Sequence, residues 1–308
     1  MHGEFSTIAI VGAGAIGTYY GVRLGQAGAD VRFLLKSDFE AVRERGSMSI
    51  EDGNSRVELR PVAVFRSTAE MGPVDLVIVT LKTTANEHLR ELLPPLIGPK
   101  TAVLTLQNGI GSDDFIATIV GRERVMGGLA FIAATRTGPG EVKCYHQGSI
   151  TLGEFDRPLL PRTRGLAAQL RSAGVEMRTT ENLAEARWKK LVWNIPFNGL
   201  AIAAGGITTD RICANATLAS RVRVLMKEVQ TAATALGYSI PDEHLQQQFA
   251  VTPGMGAYQP SSLVDFLAGR EVEIEAIWGE PLRRALAAGA NVPELEQLYA
   301  ELRQALAK

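Results

Sequence analysis

Apolar residues in the first half of the chain come in short β-branched runs, each followed by a segment of helical period, the alternation of a parallel doubly wound sheet. The run at residues 8–11, Ile-Ala-Ile-Val, breaks into glycines and then into a helix over 18–27. A second run at 31–35 arrives after Gly28, where a βαβ unit needs its second strand. Residues 38–45 read as a helix closed by Gly46, and 47–64 as a polar hairpin with Asp52 and Gly53 at its tip, an insertion outside the core. Residues 75–81 and 102–106 are further strands flanking a helix over 86–93; strands at 125–134, 140–146, 149–153 and 176–180 and a helix over 162–173 complete this half. From Asn182 onward helical periods dominate, over 184–195, 218–236, 242–249, 262–268, 271–288 and 293–307. The pattern predicts an α/β Rossmann-type doubly wound sheet domain over 1–180 followed by an all-α C-terminal domain over 181–308, with no Ser/Gly-rich or Pro-rich spacer.

The glycines after the first strand are Gly12, Gly14 and Gly17, with Ala13, Ala15 and Ile16 between them. In that spacing the first glycine permits a tight turn, the second lets backbone approach a pyrophosphate, and the third lets the helix pack closely. The helix N-terminus then aims its free N–H groups at the anion. Two later strands end in polar residues, Lys82-Thr-Thr and Gln107-Asn108-Gly, and ligands of such sheets lie beyond the carboxyl ends of the strands. After the second strand stand Lys36, a cation for a 2′-phosphate, Ser37, a hydroxyl, and Asp38, which lies late for a ribose and could instead cap the next helix.

Charge excludes one class of function. Lys and Arg total 32 against 33 Asp and Glu, so no basic field draws in nucleic acid. Cys144 and Cys213 lack any metal-ligand or disulfide spacing, so no metal site is expected and buried free thiols in a reducing cytoplasm fit best. The stretch over 1–7 lacks a signal layout, and no window is apolar enough to span a membrane. Apolar faces at Leu282/Leu286 and Leu295/Leu298/Leu302 suit a core or a homodimer seam, core being the commoner fate.

In the second half, Lys190, Asn194 and Asn198 recur at four-residue steps among Leu191, Val192, Trp193, Ile195 and Phe197, one polar stripe on an apolar helix. Buried amides and an ammonium cost several kcal/mol unless answered. Either the lysine is solvated and the asparagines bond backbone freed by Pro196, or the stripe lines a site where Lys190 protonates a carbonyl oxygen as hydride reaches its carbon. Further on, Ser261 or Ser262 opens a helix, as an N-cap or as a ligand. Periodicity leaves open which of Glu271, Glu273 and Glu275 points inward.

These segments together resemble the ketopantoate reductase family nearly end to end: the Gly12/Gly14/Gly17 loop, Val79-Thr-Leu-Lys82, Leu106-Gln-Asn-Gly-Ile-Gly111, Arg187-Trp-Lys-Lys-Leu-Val-Trp-Asn-Ile-Pro-Phe-Asn198, Pro260-Ser-Ser-Leu-Val-Asp265 and Glu271-Val-Glu-Ile-Glu275. The resemblance implies NADPH-dependent reduction of 2-dehydropantoate to D-pantoate on the route to coenzyme A, in a cleft between a Rossmann and a helical domain. It implies Lys190 as general acid, Glu273 as active-site carboxylate, and Asn194, Asn198 and Ser261 as substrate ligands. Lys82 and Asn108 then touch the nicotinamide ribose and substrate region. Lys36 stands where the family commonly has arginine, so phosphate is gripped without a bidentate fork; charge and resemblance together favour NADPH over NADH. The competing readings are a related dehydrogenase of another small 2-oxo acid and an NADPH sensor without turnover.

Overall fold

The computed structural model describes residues 4–53 and 55–307; residues 1–3 of the N-terminal stretch, Asn54 beside the expected hairpin tip, and Lys308 lie outside them. The chain divides into two compact units, Met1–Gln107 with Ser112–Leu183, and Asn108–Gly111 with Ala184–Lys308. The division thus falls three residues beyond the expected 180, and a four-residue piece of the first half packs with the helices.

The first unit is built on a 10-stranded sheet. Its strands are β1 (Thr7–Val11), β2 (Asp30–Leu34), β3 (Met48–Asp52), β4 (Ser55–Leu59), β5 (Ala63–Phe65), β6 (Val74–Val79), β7 (Ile97–Thr105), β8 (Val125–Gly138), β9 (Glu141–Glu154) and β10 (Glu176–Thr179). They lie in the order β4-β3-β9-β8-β7-β6-β1-β2-β5, with β10 also paired to β9. From β5 through β8 the neighbours are parallel. In β1, Ile8 and Ile10 enter one apolar cluster and Ala9 and Val11 another, so the strand is buried on both faces, as the centre of a parallel sheet must be. The chain leaves β1 toward β2 and returns on its other side as β6, which makes the β1/β6 boundary the topological switch point.

Several expectations for this unit need correction. Residues 47–64 are not an insertion: Met48 and Ile50 are fully buried, β3 pairs in parallel with β9, and β5 joins β2. The partner that buries β3 lies far along the chain, so its local pattern shows only a polar hairpin. Where three strands were expected after 125, β8 and β9 form one long antiparallel hairpin with register shifts near Phe131 and Ala133. The helix expected over 86–93 is a 3₁₀ segment, Thr83–His88, followed by a single turn, Leu89–Leu92.

The second unit is helical, with no strand among its described residues. Its central helix, Leu183–Ala203, runs through Pro196 instead of stopping at 195. Proline removes one helical donor. Burial outweighs that loss, since Ile195, Phe197, Leu200, Ala201 and Ile202 all lie in the core, and the Trp278 indole N–H donates to the Ile195 carbonyl at 3.0 Å. The helix expected over 271–288 begins later, with a π-helical turn at Glu275–Gly279 continuing into Glu280–Ala287. Leu282, Leu295, Leu298 and Leu302 are core and only Leu286 is exposed, so the faces considered for a dimer seam are consumed internally. No described helix is long and apolar enough to cross a membrane. Both cysteines are free; Cys144 is buried, which pushes its thiol pKa up, and Cys213 is half-buried.

Candidate active site

The glycine loop opens the helix Ala15–Gln26 at the carboxyl end of β1. Gly12 takes φ +105°, and a Cβ there would stand 2.5 Å from the Leu81 amide nitrogen. A Cβ on Gly17 would meet the Gly12 carbonyl oxygen at 2.3 Å and Thr80 Oγ1 at 2.5 Å. Both are therefore glycines for reasons internal to the fold. Gly14 differs: a Cβ there would meet nothing within 4 Å, so its face is open space that a side chain would fill. An open backbone cradle at a helix N-terminus, beside the switch point, fits a pyrophosphate.

At the end of β2, Lys36 and Ser37 are exposed while Asp38 is buried. Asp38 neither caps the following helix through its side chain nor faces outward. Its Oδ1 accepts from the Arg136 guanidinium at 2.7 Å, and its Oδ2 from the Gly140 amide at 3.2 Å. The carboxylate that could have bound ribose hydroxyls is spent on the β8–β9 hairpin, and Lys36 stands exposed beside it.

Lys82 is exposed on the turn after β6. That turn is pinned by buried Gln107, whose Nε2 donates to the Leu81 carbonyl at 2.9 Å and to Asn86 Oδ1 at 2.7 Å. Thr105 Oγ1 donates to Gln107 Oε1 at 3.0 Å, which fixes the amide's orientation.

In the helical unit Lys190 and Asn194 lie on one face of Leu183–Ala203. Lys190 Nζ donates to Asn108 Oδ1 at 2.9 Å. The preceding lysine faces elsewhere, with Lys189 Nζ on Glu185 Oε1 at 2.6 Å. Asn108 belongs to a turn held tightly against the π-helical turn: the Ile110 amide donates to the Ala276 carbonyl at 3.0 Å, and a Cβ on Gly109 would stand 2.2 Å from that same oxygen. Gly109, at φ +79°, is the residue that conformation and that approach both demand. Of the three glutamates, Glu273 is buried, while Glu271 and Glu275 are exposed. Lys190 as a residue is only part-buried, but its amine is densely surrounded by protein. Burial first and the Arg187 charge second push its pKa down to about 7, with Glu273 pulling it up.

Asn198 is almost wholly buried, and its amide makes one bond from each end. Nδ2 donates to the Asn194 carbonyl and Oδ1 accepts from the Ser262 amide, each at 3.0 Å. It therefore ties the central helix to the helix Ser261–Leu267; the carbonyl it meets is that of Asn194, not the one Pro196 leaves without a donor. At the start of that helix Ser261 is exposed and Ser262 buried; Pro260 occupies the N-cap position, so neither hydroxyl caps. Trp193 stacks on Phe197 with ring centroids 5.1 Å apart and donates from its indole to Thr252 Oγ1 at 3.0 Å.

A family model described as ketopantoate reductase PanE/ApbA matches residues 8–157, and one described as its C-terminal part matches residues 182–306. The 2-dehydropantoate 2-reductase of Nostoc sp. strain PCC 7120 is 38% identical over 300 residues, spanning 96% of this chain and 93% of that protein. The chain belongs to the ketopantoate reductase family. A crystal structure of the 2-dehydropantoate 2-reductase from Geobacter metallireducens GS-15 matches at a TM-score of 0.94 and 43% identity, over 97% of this chain and 99% of that one. A D-mandelate dehydrogenase solved with NADH and anilino(oxo)acetate matches at 0.87 and 25% identity, over 98% of each chain.

For this ketopantoate reductase family member, the structure brings Asn108, Lys190 and Glu273 together in the helical unit. Gly12, Ala13, Gly14, Ala15, Ile16 and Gly17 form the turn into the first helix, and Lys36 and Lys82 follow β2 and β6 of the same unit. Sequence reasoning leaves Arg187, at the head of the segment 187–198, without a role. It is buried, stands one helical turn before Lys190 and donates from Nη1 to the Gly109 carbonyl at 3.4 Å. Its spacing from Lys190 was the available signal. Gln107 was missed for a different reason: its partner Asn86 is distant in sequence.

Proposed function

We propose that the chain reduces 2-dehydropantoate to D-pantoate with NADPH, a step on the way to pantothenate and coenzyme A. The observation that carries the reading is an amine in apolar surroundings, oriented by Asn108 and flanked by Arg187 and Glu273, within a family whose relatives at 38–43% identity are named for this reaction. The open cradle at Gly14 and the cation at Lys36 suit the pyrophosphate and 2′-phosphate, and the commitment of Asp38 to Arg136 removes the group that would favour NADH. When bound, the dihydronicotinamide supplies the hydride.

The chain's own residues then do the rest. Lys190 Nζ donates a proton to the ketone oxygen as negative charge builds there, and an amine with a pKa near 7 is a stronger acid than an ordinary lysine while still largely protonated in mildly acidic solution. Asn108 orients the amine, and the Glu273 carboxylate favours its charged form. Asn194 and Ser261 bind the substrate's carboxylate and hydroxyl groups. Asn198 serves beside them as a substrate ligand and also fixes the start of the helix that carries Ser261. Lys82, on the turn after β6, borders the ribose of the nicotinamide. The free thiols support a cytoplasmic setting.

The deciding assay follows the absorbance of NADPH with purified protein and 2-dehydropantoate. Oxidation dependent on the keto acid and faster than with NADH is the expected result. Oxidation only with a different 2-oxo acid overturns the substrate assignment; binding of NADPH with no oxidation by any keto acid overturns the enzyme.

A further inference from the structure

We propose that Arg187 is a positioning residue for this reaction: it holds the turn that presents Asn108 to Lys190, and it stands a buried cation one helical turn before Lys190 on the same helix. The inference rests on the proposed keto-acid reduction. A guanidinium is costly to bury, and an apolar residue would pack at this position of the central helix without that cost. Arg187 is nonetheless 5% exposed, and its Nη1 reaches the Gly109 carbonyl at 3.4 Å. Gly109 follows Asn108 directly and is wedged on its other side against Ala276, whose carbonyl accepts from Ile110 at 3.0 Å. The turn is therefore gripped from two elements, the central helix through Arg187 and the π-helical turn through Ala276.

The charged groups that act on the Lys190 amine come from both of those directions, Arg187 on its own helix and Glu273 just before the π-helical turn. Arg187 pushes the pKa of Lys190 down and Glu273 opposes it. A lysine acid needs this bias, because an ammonium of ordinary pKa releases its proton reluctantly near neutrality.

The test compares pH profiles of kcat/KM for keto-acid reduction in the wild type, Arg187→Gln and Arg187→Lys. In parallel, the lysine ¹³Cε resonances are titrated by NMR, with Lys190 assigned by its loss in Lys190→Met. Removing the charge in Arg187→Gln should move the alkaline limb and the Lys190 midpoint up by about one pH unit. Arg187→Lys should keep both within a few tenths of a unit while lowering kcat/KM several-fold, because the shorter head does not set a donor where Nη1 meets the Gly109 carbonyl. If Arg187→Gln fails to fold, Arg187→Met removes the same charge with a longer packing stem. A limb and midpoint unmoved by loss of the charge, or moved equally in the lysine variant, overturn the inference. Should the wild type reduce no 2-oxo acid, the function falls and the NMR midpoints alone decide for or against Arg187.

Discussion

The two units prepare for chemistry by opposite means. The first does so by leaving side chains out: Gly12 and Gly17 are bare because backbone and Thr80 crowd them, and Gly14 is bare over open space. The second puts charge where apolar packing would be cheaper, with Arg187 and Glu273 buried and the Lys190 amine enclosed. Steric exclusion leaves a strong mark in sequence, because only glycine satisfies it. Buried charge leaves a weak one, because the same residue types also serve on solvated helix faces.

The contrast can be broken hardest at Lys190. Lys190→Ala should lower kcat by roughly 10²-fold or more while NADPH affinity, measured by fluorescence titration, stays within about twofold of the wild type. A parallel loss of both would mean that the helical unit does not act chemically alone. The next effect separates the glycines from one another. Gly14→Ala should fold with an unchanged melting temperature yet bind NADPH about 10-fold or more weakly, since its methyl points into the pyrophosphate's space. Gly17→Ala, whose methyl collides with the Gly12 carbonyl and Thr80, should cost about 1–3 kcal/mol of stability in a denaturant titration. A normal nucleotide affinity in Gly14→Ala would place the pyrophosphate elsewhere. Lys36→Ala should raise the Kd for NADPH several-fold, up to about tenfold, and leave that for NADH alone, sharpening how much of the cofactor preference is charge.

The smallest expected effect concerns stability. Lys190 titrates at about 7 in the folded chain against 10.5 for a free lysine side chain. Between those values the unfolded chain binds more protons, so stability rises with pH across that window, and the penalty for the enclosed ammonium is felt in full below about 7. Lys190→Met should therefore raise the melting temperature by a few degrees, about 2–4 °C, below that pH, with the gain shrinking as pH approaches 10.5. A gain independent of pH would show that packing, not the charge, accounts for it.

Legibility followed physical cause. The glycine loop and the strands β1, β2, β6 and β7 were readable because each is specified by a local pattern, a steric exclusion or a run buried on both faces. The hairpin at β3 and β4 was misread because Met48 and Ile50 acquire their buried role only from β9, about ninety residues away. Pro196 argued for a helix end on local grounds, and the core contacts of Phe197 and Leu200 overrode it. In the site, four-residue spacing put Lys190 and Asn194 on one helix face, but it could not tell that Asn198 accepts from the Ser262 amide, nor which glutamate is buried. The first depends on a helix, Ser261–Leu267, far along the chain from Asn198, and the second on how the segment just before the π-helical turn packs.

The oxygen that steadies the acidic amine is not supplied by the helical sequence at all. It arrives on a four-residue excursion, Asn108–Gly111, made while the chain is still laying down the sheet. The polypeptide consequently crosses from one body to the other three times, and no single cut can release a helical half that keeps both the lysine and its partner. A gene fragment beginning at Ala184 would encode the acid and lose its steadying hand, so natural or engineered recombination must exchange these two bodies together with that short detour.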